Sequence, residues 1–192
     1  MLVLAVSACA YTPEIPPAGN VEVAWQQHQK QMSDLTSWKM TGRIAVSNET
    51  DSWHATLQWI QHPQEYTINI IAPFGQGGAR VEGNNNVVTM RSDEGKVTQA
   101  STAEELMQRQ TGWRVPLEGM KYWARGVPAP GVFKNSVLDN TGHLAELSQS
   151  DWQIDFRSHQ RINNFILPEK VFMTTTDLKV KIVIDEWEVT TR

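Results

Sequence analysis

Cys9 is the one cysteine of this chain, and its surroundings point to acylation. It closes an apolar run, Met1-Leu2-Val3-Leu4-Ala5-Val6-Ser7-Ala8. Within that run Val6-Ser7-Ala8-Cys9 reads as a lipobox: an aliphatic residue, two small ones, then a thiol. A diacylglyceryl transferase alkylates the sulfur, and a peptidase with a narrow site then cuts in front of the modified cysteine, which is why small residues must stand at Ser7 and Ala8. The freed amino group can take a further acyl chain. Each buried methylene contributes about 0.8 kcal/mol, so two or more chains anchor stably where one does not. Residues 1–8 therefore read as a signal peptide and residues 9–20 as a lipidated cysteine on a flexible tether. No Lys or Arg precedes Cys9, so the basic opening of such a peptide is missing, and the expectation is a truncated signal whose true start lies upstream.

Other reactive residue types form no catalytic pattern. His28, His54, His62, His143 and His159 lack metalloprotease spacing, and no nucleophile-elbow, P-loop or dinucleotide glycine motif is present. His28 falls on an apolar helical stripe and reads as a core histidine. Asp151, Asp155 and Arg157 read as a solvated strand face. Lipidation consumes Cys9, so no thiol nucleophile is left. These readings exclude an enzyme, a metal site and a cofactor, and the net charge of −4 argues against a nucleic-acid partner. One loop stands out: Pro73-Phe74-Gly75-Gln76-Gly77-Gly78 carries a bulky apolar residue between Pro and Gly. Phe74 either plugs the end of a barrel or probes a bilayer from a mobile loop.

The elements that would position these residues follow from hydrophobic period. Residues 10–20 hold three prolines and one glycine and read as an extended linker. Val21, Trp25, His28, Met32 and Leu35 make one helical stripe. Even positions from Trp38 to Val46 and odd positions from Trp53 to Trp59 face inward, so an antiparallel hairpin turns at Asn48-Glu49-Thr50-Asp51. Strands follow at about 66–70, 79–83, 86–91 and 96–100. Ser101-x-x-Glu104 and Thr102-x-x-Glu105 are overlapping capping boxes for a helix closed by Gly112, and Pro116 starts a second. Strands return near 132–138, 143–148, 151–158, 169–174 and 178–189. In the last, Leu178, Val180, Ile182 and Ile184 are even but Trp187 and Val189 are odd, which predicts a bulge near Asp185-Glu186. Many short antiparallel strands with a few helices predict a mainly β fold, an incomplete barrel with a helical layer over its open side, in a single domain over residues 21–192. Eight tryptophans are spread along the chain; they form either a Trp-rich core or the wall of a wide apolar interior.

Several spaced residues are similar to the LolB family of outer-membrane lipoproteins. They are Trp25-Gln26-Gln27-His28-Gln29; Tyr66-x-Ile68-x-Ile70-x-x-Pro73-Phe74-Gly75; Gly112-x-x-Val115-Pro116-Leu117-x-x-Met120-x-x-Trp123-x-x-Gly126-x-Pro128; and Ile182-x-Ile184-x-x-Trp187. The resemblance implies an unclosed antiparallel barrel with a helical lid over an apolar cavity. It also implies a lipid-anchored monomer on the periplasmic face of the outer membrane. Such a protein takes acylated lipoprotein cargo from a LolA-type carrier and inserts it into outer-membrane lipid. In the family the projecting loop bears an apolar residue that matters for insertion, and Phe74 holds that position here. The inward pattern then nominates Met40, Ile44, Trp53, Leu57, Trp59, Ile68 and Ile70 on strands and Leu106, Met107, Met120 and Trp123 on the lid as residues that meet acyl chains. The competing readings are a lipid-anchored scaffold or small-lipid binder with no transfer role, and a lipid-anchored hydrolase, for which no motif is present.

Overall fold

The computed structural model describes residues 15–73 and 77–190; Cys9, Phe74 and Gly75 lie outside the described residues. The elements run α1 (Val21–Asp34), β1 (Trp38–Ser47), β2 (Ser52–Gln61), β3 (Glu65–Ile71), β4 (Gly78–Asn84), β5 (Val88–Ser92), β6 (Val97–Ala100), α2 (Ala103–Thr111), α3 (Leu117–Trp123), β7 (Asn135–Leu138), β8 (Leu144–Gln149), β9 (Trp152–Ile162), β10 (Phe165–Thr174) and β11 (Lys179–Val189). Eleven strands form one sheet in the order β6-β5-β4-β3-β2-β1-β11-β10-β9-β8-β7, with β6 and β7 at its two unpaired edges. The sheet is antiparallel and does not close. Among the described residues no helix is long and apolar enough to cross a membrane.

Alternation decides which face turns inward. On β1, Trp38, Met40, Ile44 and Val46 are buried, while Lys39 and Arg43 point outward and pair across the ladder with Glu188 and Asp185. The predicted bulge is present. Thr41 pairs with Glu186 but Gly42 pairs with Ile184, leaving Asp185 as the extra residue. The bulge returns Trp187 to the inner face, where it is buried. Gly42 sits at the kink because a Cβ there would run into the carbonyl oxygen of Val183. The expected strand boundary at Pro168 differs: β10 begins at Phe165 and continues through Pro168, which pairs with His159. Proline is tolerated because the ladder is already irregular there, with no pair between Ser158 and Glu169 and Ser158 at φ +55°.

Tryptophans divide between core and cavity. Trp38 lies 5.4 Å from both Trp59 and Trp187 between ring centroids. Their polar ends are satisfied: Nε1 of Trp187 donates to the Pro168 carbonyl, and Nε1 of Trp59 donates to Gln61. Helix α1 is capped by Asn20, whose side chain accepts from the Val23 amide. At its other end the buried Arg125 guanidinium donates to the carbonyls of Met32, Leu35 and Lys121. One cation thus ties the frayed end of α1 to the residue after α3. Thr102 caps α2 by accepting from the Glu105 amide, and Gly112 ends it in the left-handed region.

His28 is buried as expected for a core histidine, but it is not satisfied. Its ring meets His143 edge-on at 4.7 Å, and His143 lies 5.3 Å from His159. Nδ1 of His28 and Nε2 of His159 are buried with no hydrogen-bond partner. Trp25 of α1 stacks on His28, and Asp139 approaches His159 only to 3.9 Å. Burial, then the charges of the neighbouring imidazoles, lower the His28 pKa to about 3. The same causes in the same order lower His159 to about 4. Both rings are therefore neutral in the fold and would protonate in the unfolded chain near 6.5. Their full contribution to stability is present above pH 6.5 and is lost as pH falls from there toward 4 and 3. Unfolding in urea should show roughly 2 kcal/mol less stability per histidine at pH 5 than at pH 7. His28→Phe should flatten that slope, and an unchanged slope would show that the cluster does not control it. Arg125→Met should cost about 2–3 kcal/mol, since charge-assisted hydrogen bonds to three carbonyls are lost; a wild-type urea midpoint would refute the clamp.

Candidate functional site, an apolar cavity under the helical lid

The inner face of the sheet cannot be covered by strands, because β6 and β7 do not meet. It is covered by α2, α3 and the segment between them. Register brings the wall together: Trp59 opposes Ile68, Leu57 opposes Ile70, and Ile68 opposes Val81. On the other side Val46 opposes both Trp53 and Val180. The lid lays Met107, Trp113, Val115, Leu117 and Met120 over this wall. The enclosed space is bounded by these side chains with Ile44, and every lining residue is apolar.

Eight of the nominated residues line this cavity: Ile44, Trp53, Leu57, Trp59, Ile68, Ile70, Met107 and Met120. Three do not. Met40 shares the inner face of β1, but it sits nearer the closed end, between Trp59 and Trp187 on the flanking strands. Leu106 is fully buried in the core on α2. Trp123 is buried beside Trp152 and donates Nε1 to Gln149. Val46, Val81, Trp113, Val115, Leu117 and Val180 complete the lining. Val46 and Val180 continue alternations already visible in β1 and β11. Leu117 opens α3 on the same side as Met120, whereas Trp113 and Val115 fall between two helices, where no period applies, and only their place beside Gly112 and Pro116 marks them.

The free volume is about 40 Å³, room for a water or two and far too little for an acyl chain. The lid side chains fill the rest. Trp53 on the sheet and Trp113 on the lid lie parallel, 6.3 Å apart with an interplanar angle of 3°. A long chain can enter only if the lid withdraws and these contacts part. Two flexible methionines, Met107 and Met120, stand on the lid side of the lining, and such side chains adapt to irregular partners. With no polar group in the wall, recognition rests on apolar burial without a directional component. Among the described residues no group of three or more His, Cys, Asp or Glu is arranged to hold a metal ion.

The architecture is an open antiparallel barrel, roofed by helices over a wholly apolar cavity. The fold is shared with a LolA superfamily protein from Nitrosomonas europaea at TM-score 0.54, 9% identity, covering 91% of this chain and 96% of that one. A DUF1329 family protein from Desulfovibrio piger matches at TM-score 0.53 and 8% identity, covering 88% and 92%. The family model described as outer membrane lipoprotein LolB matches residues 36–187. The outer-membrane lipoprotein LolB of Nitrosococcus oceani is 35% identical over 98% of this chain and 94% of its own length. That of Pseudomonas syringae pv. syringae is 35% identical over 85% and 80%. The chain belongs to the LolB family.

Because two tryptophans face each other across the lid, opening should be visible in fluorescence. An acylated peptide should shift the intrinsic emission, and its unacylated counterpart should not. Trp53→Phe with Trp113→Phe should remove most of the response, whereas Trp25→Phe on α1 should keep it. Equal responses to both peptides would sink the assignment of this cavity to acyl chains.

Proposed function

We propose that this chain is a lipid-anchored receptor that accepts acylated lipoproteins from a LolA-type carrier and passes them into the outer membrane. The observation that carries the reading is the wholly apolar, nearly closed cavity between sheet and lid. Family membership supports it, and so does the name of the relatives, outer-membrane lipoprotein LolB. The role is receptor and transport, not catalysis. Acyl chains exposed to water carry a cost proportional to their apolar area, and a cavity with no polar wall lowers that cost for any chain that fits. No source of energy is evident in the chain, so transfer runs down an affinity gradient from carrier to cavity to bilayer. Residues 1–8 would be removed, Cys9 would carry the anchor, residues 9–20 would serve as tether, and residues 21–192 would hold cargo. The eight nominated lining residues would contact the acyl chains. Pro73, Phe74 and Gly75 would form the loop that probes the bilayer. The ends of that loop are held together where the Ala72 amide donates to the Gly77 carbonyl.

The test is a transfer assay. Carrier loaded with lipoprotein is mixed with this protein, and each is then recovered separately. Cargo should move to this protein, and Cys9→Ala, exported as a soluble form, should still accept it. A folded soluble form that captures no lipoprotein would overturn the receptor reading.

Phe74→Glu separates two roles for the loop. A bilayer probe leaves the melting temperature nearly unchanged and cargo uptake intact, while delivery into liposomes fails. A barrel plug would instead lose several kcal/mol from burying a charge. Phe74→Leu should work normally. A Phe74→Glu protein that melts early, or one that delivers cargo as well as the parent, would refute the probe.

A further inference from the structure

The connector from α3 to β7 carries a second apolar projection. Ala129 is clamped at both its polar groups: its amide donates to Oε1 of Gln149, and Nε2 of Gln149 donates to its carbonyl. Gln149 is itself buried and accepts from Nε1 of Trp123 in the lid. Five residues later the Lys134 amide rejoins the sheet at the Ser148 carbonyl. Between these two feet Pro130-Gly131-Val132-Phe133 stands out from the domain. Gly131 turns the chain at φ +111°, a conformation that favours glycine. Val132 is 92% exposed and Phe133 42% exposed.

Register places this projection at a particular end of the sheet. β7 starts at Asn135 opposite Ser148, at the end where the β1–β2, β5–β6, β8–β9 and β10–β11 turns lie. β3 also ends there, at Ile71, which is 52% exposed, and β4 begins opposite it at Gly78. The connection that holds Phe74 is therefore on the same end as Val132 and Phe133. The neighbouring turns carry Glu49, Asp51, Asp93, Glu94, Asp151 and Asp177 against Lys96 and Lys134, the latter paired with Asp151, so acid is in excess.

We propose that Val132 and Phe133 are a second membrane-contact tip, which inserts into the outer-membrane lipid surface beside the β3–β4 loop and orients the domain on the bilayer. The inference rests on the receptor reading above. A protein partner fits poorly, since a stable interface needs about 1,200 Å² or more and the tip offers two side chains. A bilayer needs no such area. Lipidation at Cys9 would keep the tip at high local concentration near lipid, and a few apolar side chains at the acyl boundary then suffice to set orientation. Two separated contacts fix a tilt that one loop leaves free. The rigid base matters: both feet are hydrogen-bonded to the sheet, so the tip cannot fold back when it meets water. The acidic turns make the contact apolar rather than electrostatic, so it should not weaken with salt or strengthen with anionic lipid.

The experiment uses the full chain with Cys9→Ala, which contains no other thiol, held at the vesicle surface by an N-terminal polyhistidine on nickel-chelating lipid in place of the acyl anchor, and a single Val132→Cys labelled with an environment-sensitive nitrobenzoxadiazole. Phosphatidylethanolamine–phosphatidylcholine vesicles should shift the label's emission to the blue, and lipid-borne quenchers should reach it. A label at Asp177→Cys, on a turn at the same end, should remain in water. The shift should persist at 0.5 M salt, to the order at which exposed charges are screened. In the transfer assay Val132→Asp should keep the parent melting temperature and accept cargo normally but deliver it into liposomes several-fold more slowly. If the Val132 label stays in water, or Val132→Asp delivers at the parental rate while the parent delivers well, the second contact is wrong. If the parent itself neither accepts nor delivers cargo, the receptor reading fails first, and the vesicle-label result still decides the tip.

Discussion

A curved sheet with two unpaired edges cannot leave its concave face to water. In a closed barrel the last strand would finish the wall, and side chains from all sides would fill the interior. Here β6 and β7 stop short of each other, and α2 with α3 must supply the missing wall. That substitution governs the rest of the molecule. A strand in a barrel is held by a full ladder of backbone hydrogen bonds. The lid is held mainly by apolar side chains, with a few polar ties such as Trp123 to Gln149 and Arg125 to the end of α1. Apolar contact is non-directional, so the lid can separate from the sheet and a guest can take its place without leaving a broken ladder behind.

The polar ties are placed away from the cavity. Arg125 joins the end of α1 to α3, Gln149 ends β8 beside Trp123, and the histidine cluster lies between α1, β9 and the start of β8. This half is tightly specified: one buried cation spans three carbonyls, one buried amide serves both a tryptophan and a backbone turn, and three imidazoles touch. The half bounded by Ile44, Leu57, Ile68 and Met120 is walled by apolar side chains. Rigidity is concentrated in one part of the domain and adaptability in the other, within a single continuous sheet.

Much of this architecture was legible in residue order. Period-two alternation located the strands, and the parity change between Ile184 and Trp187 located the bulge at Asp185. The capping residues Thr102 and Gly112 delimited α2. The strand expected from residue 169 in fact starts at Phe165 and runs through Pro168, because a local rule about missing donors cannot know that the next step of the ladder, at Ser158 and Glu169, is itself unpaired. Alternation also could not separate cavity wall from packed interior. Met40 and Ile44 share one face of one strand, and only the position of the lid decides that one is wedged between tryptophans while the other borders free space. Trp113 and Val115 were invisible to periodicity because they belong to no element. The unpaired nitrogens of His28 and His159 were equally hidden, since their isolation depends on three segments far apart in the chain.

The pairing of β1 with β11 has a consequence for how the protein comes into being. Trp38 lies opposite Val189, and Val46 opposite Val180, so the centre of the sheet joins the beginning of the domain to its end. The N-terminal part alone leaves the pocket wall one-sided, because Ile44 and Val46 face Ala55 and Trp53 on β2 but gain Ile182 and Val180 only when the final strand arrives. Such sequence-distant pairing makes for slow folding. In a chain threaded through a translocation channel, it also delays any binding surface until synthesis and export are complete. A nascent copy therefore lacks the closing wall of its sheet until the last eleven residues of ordered strand have emerged.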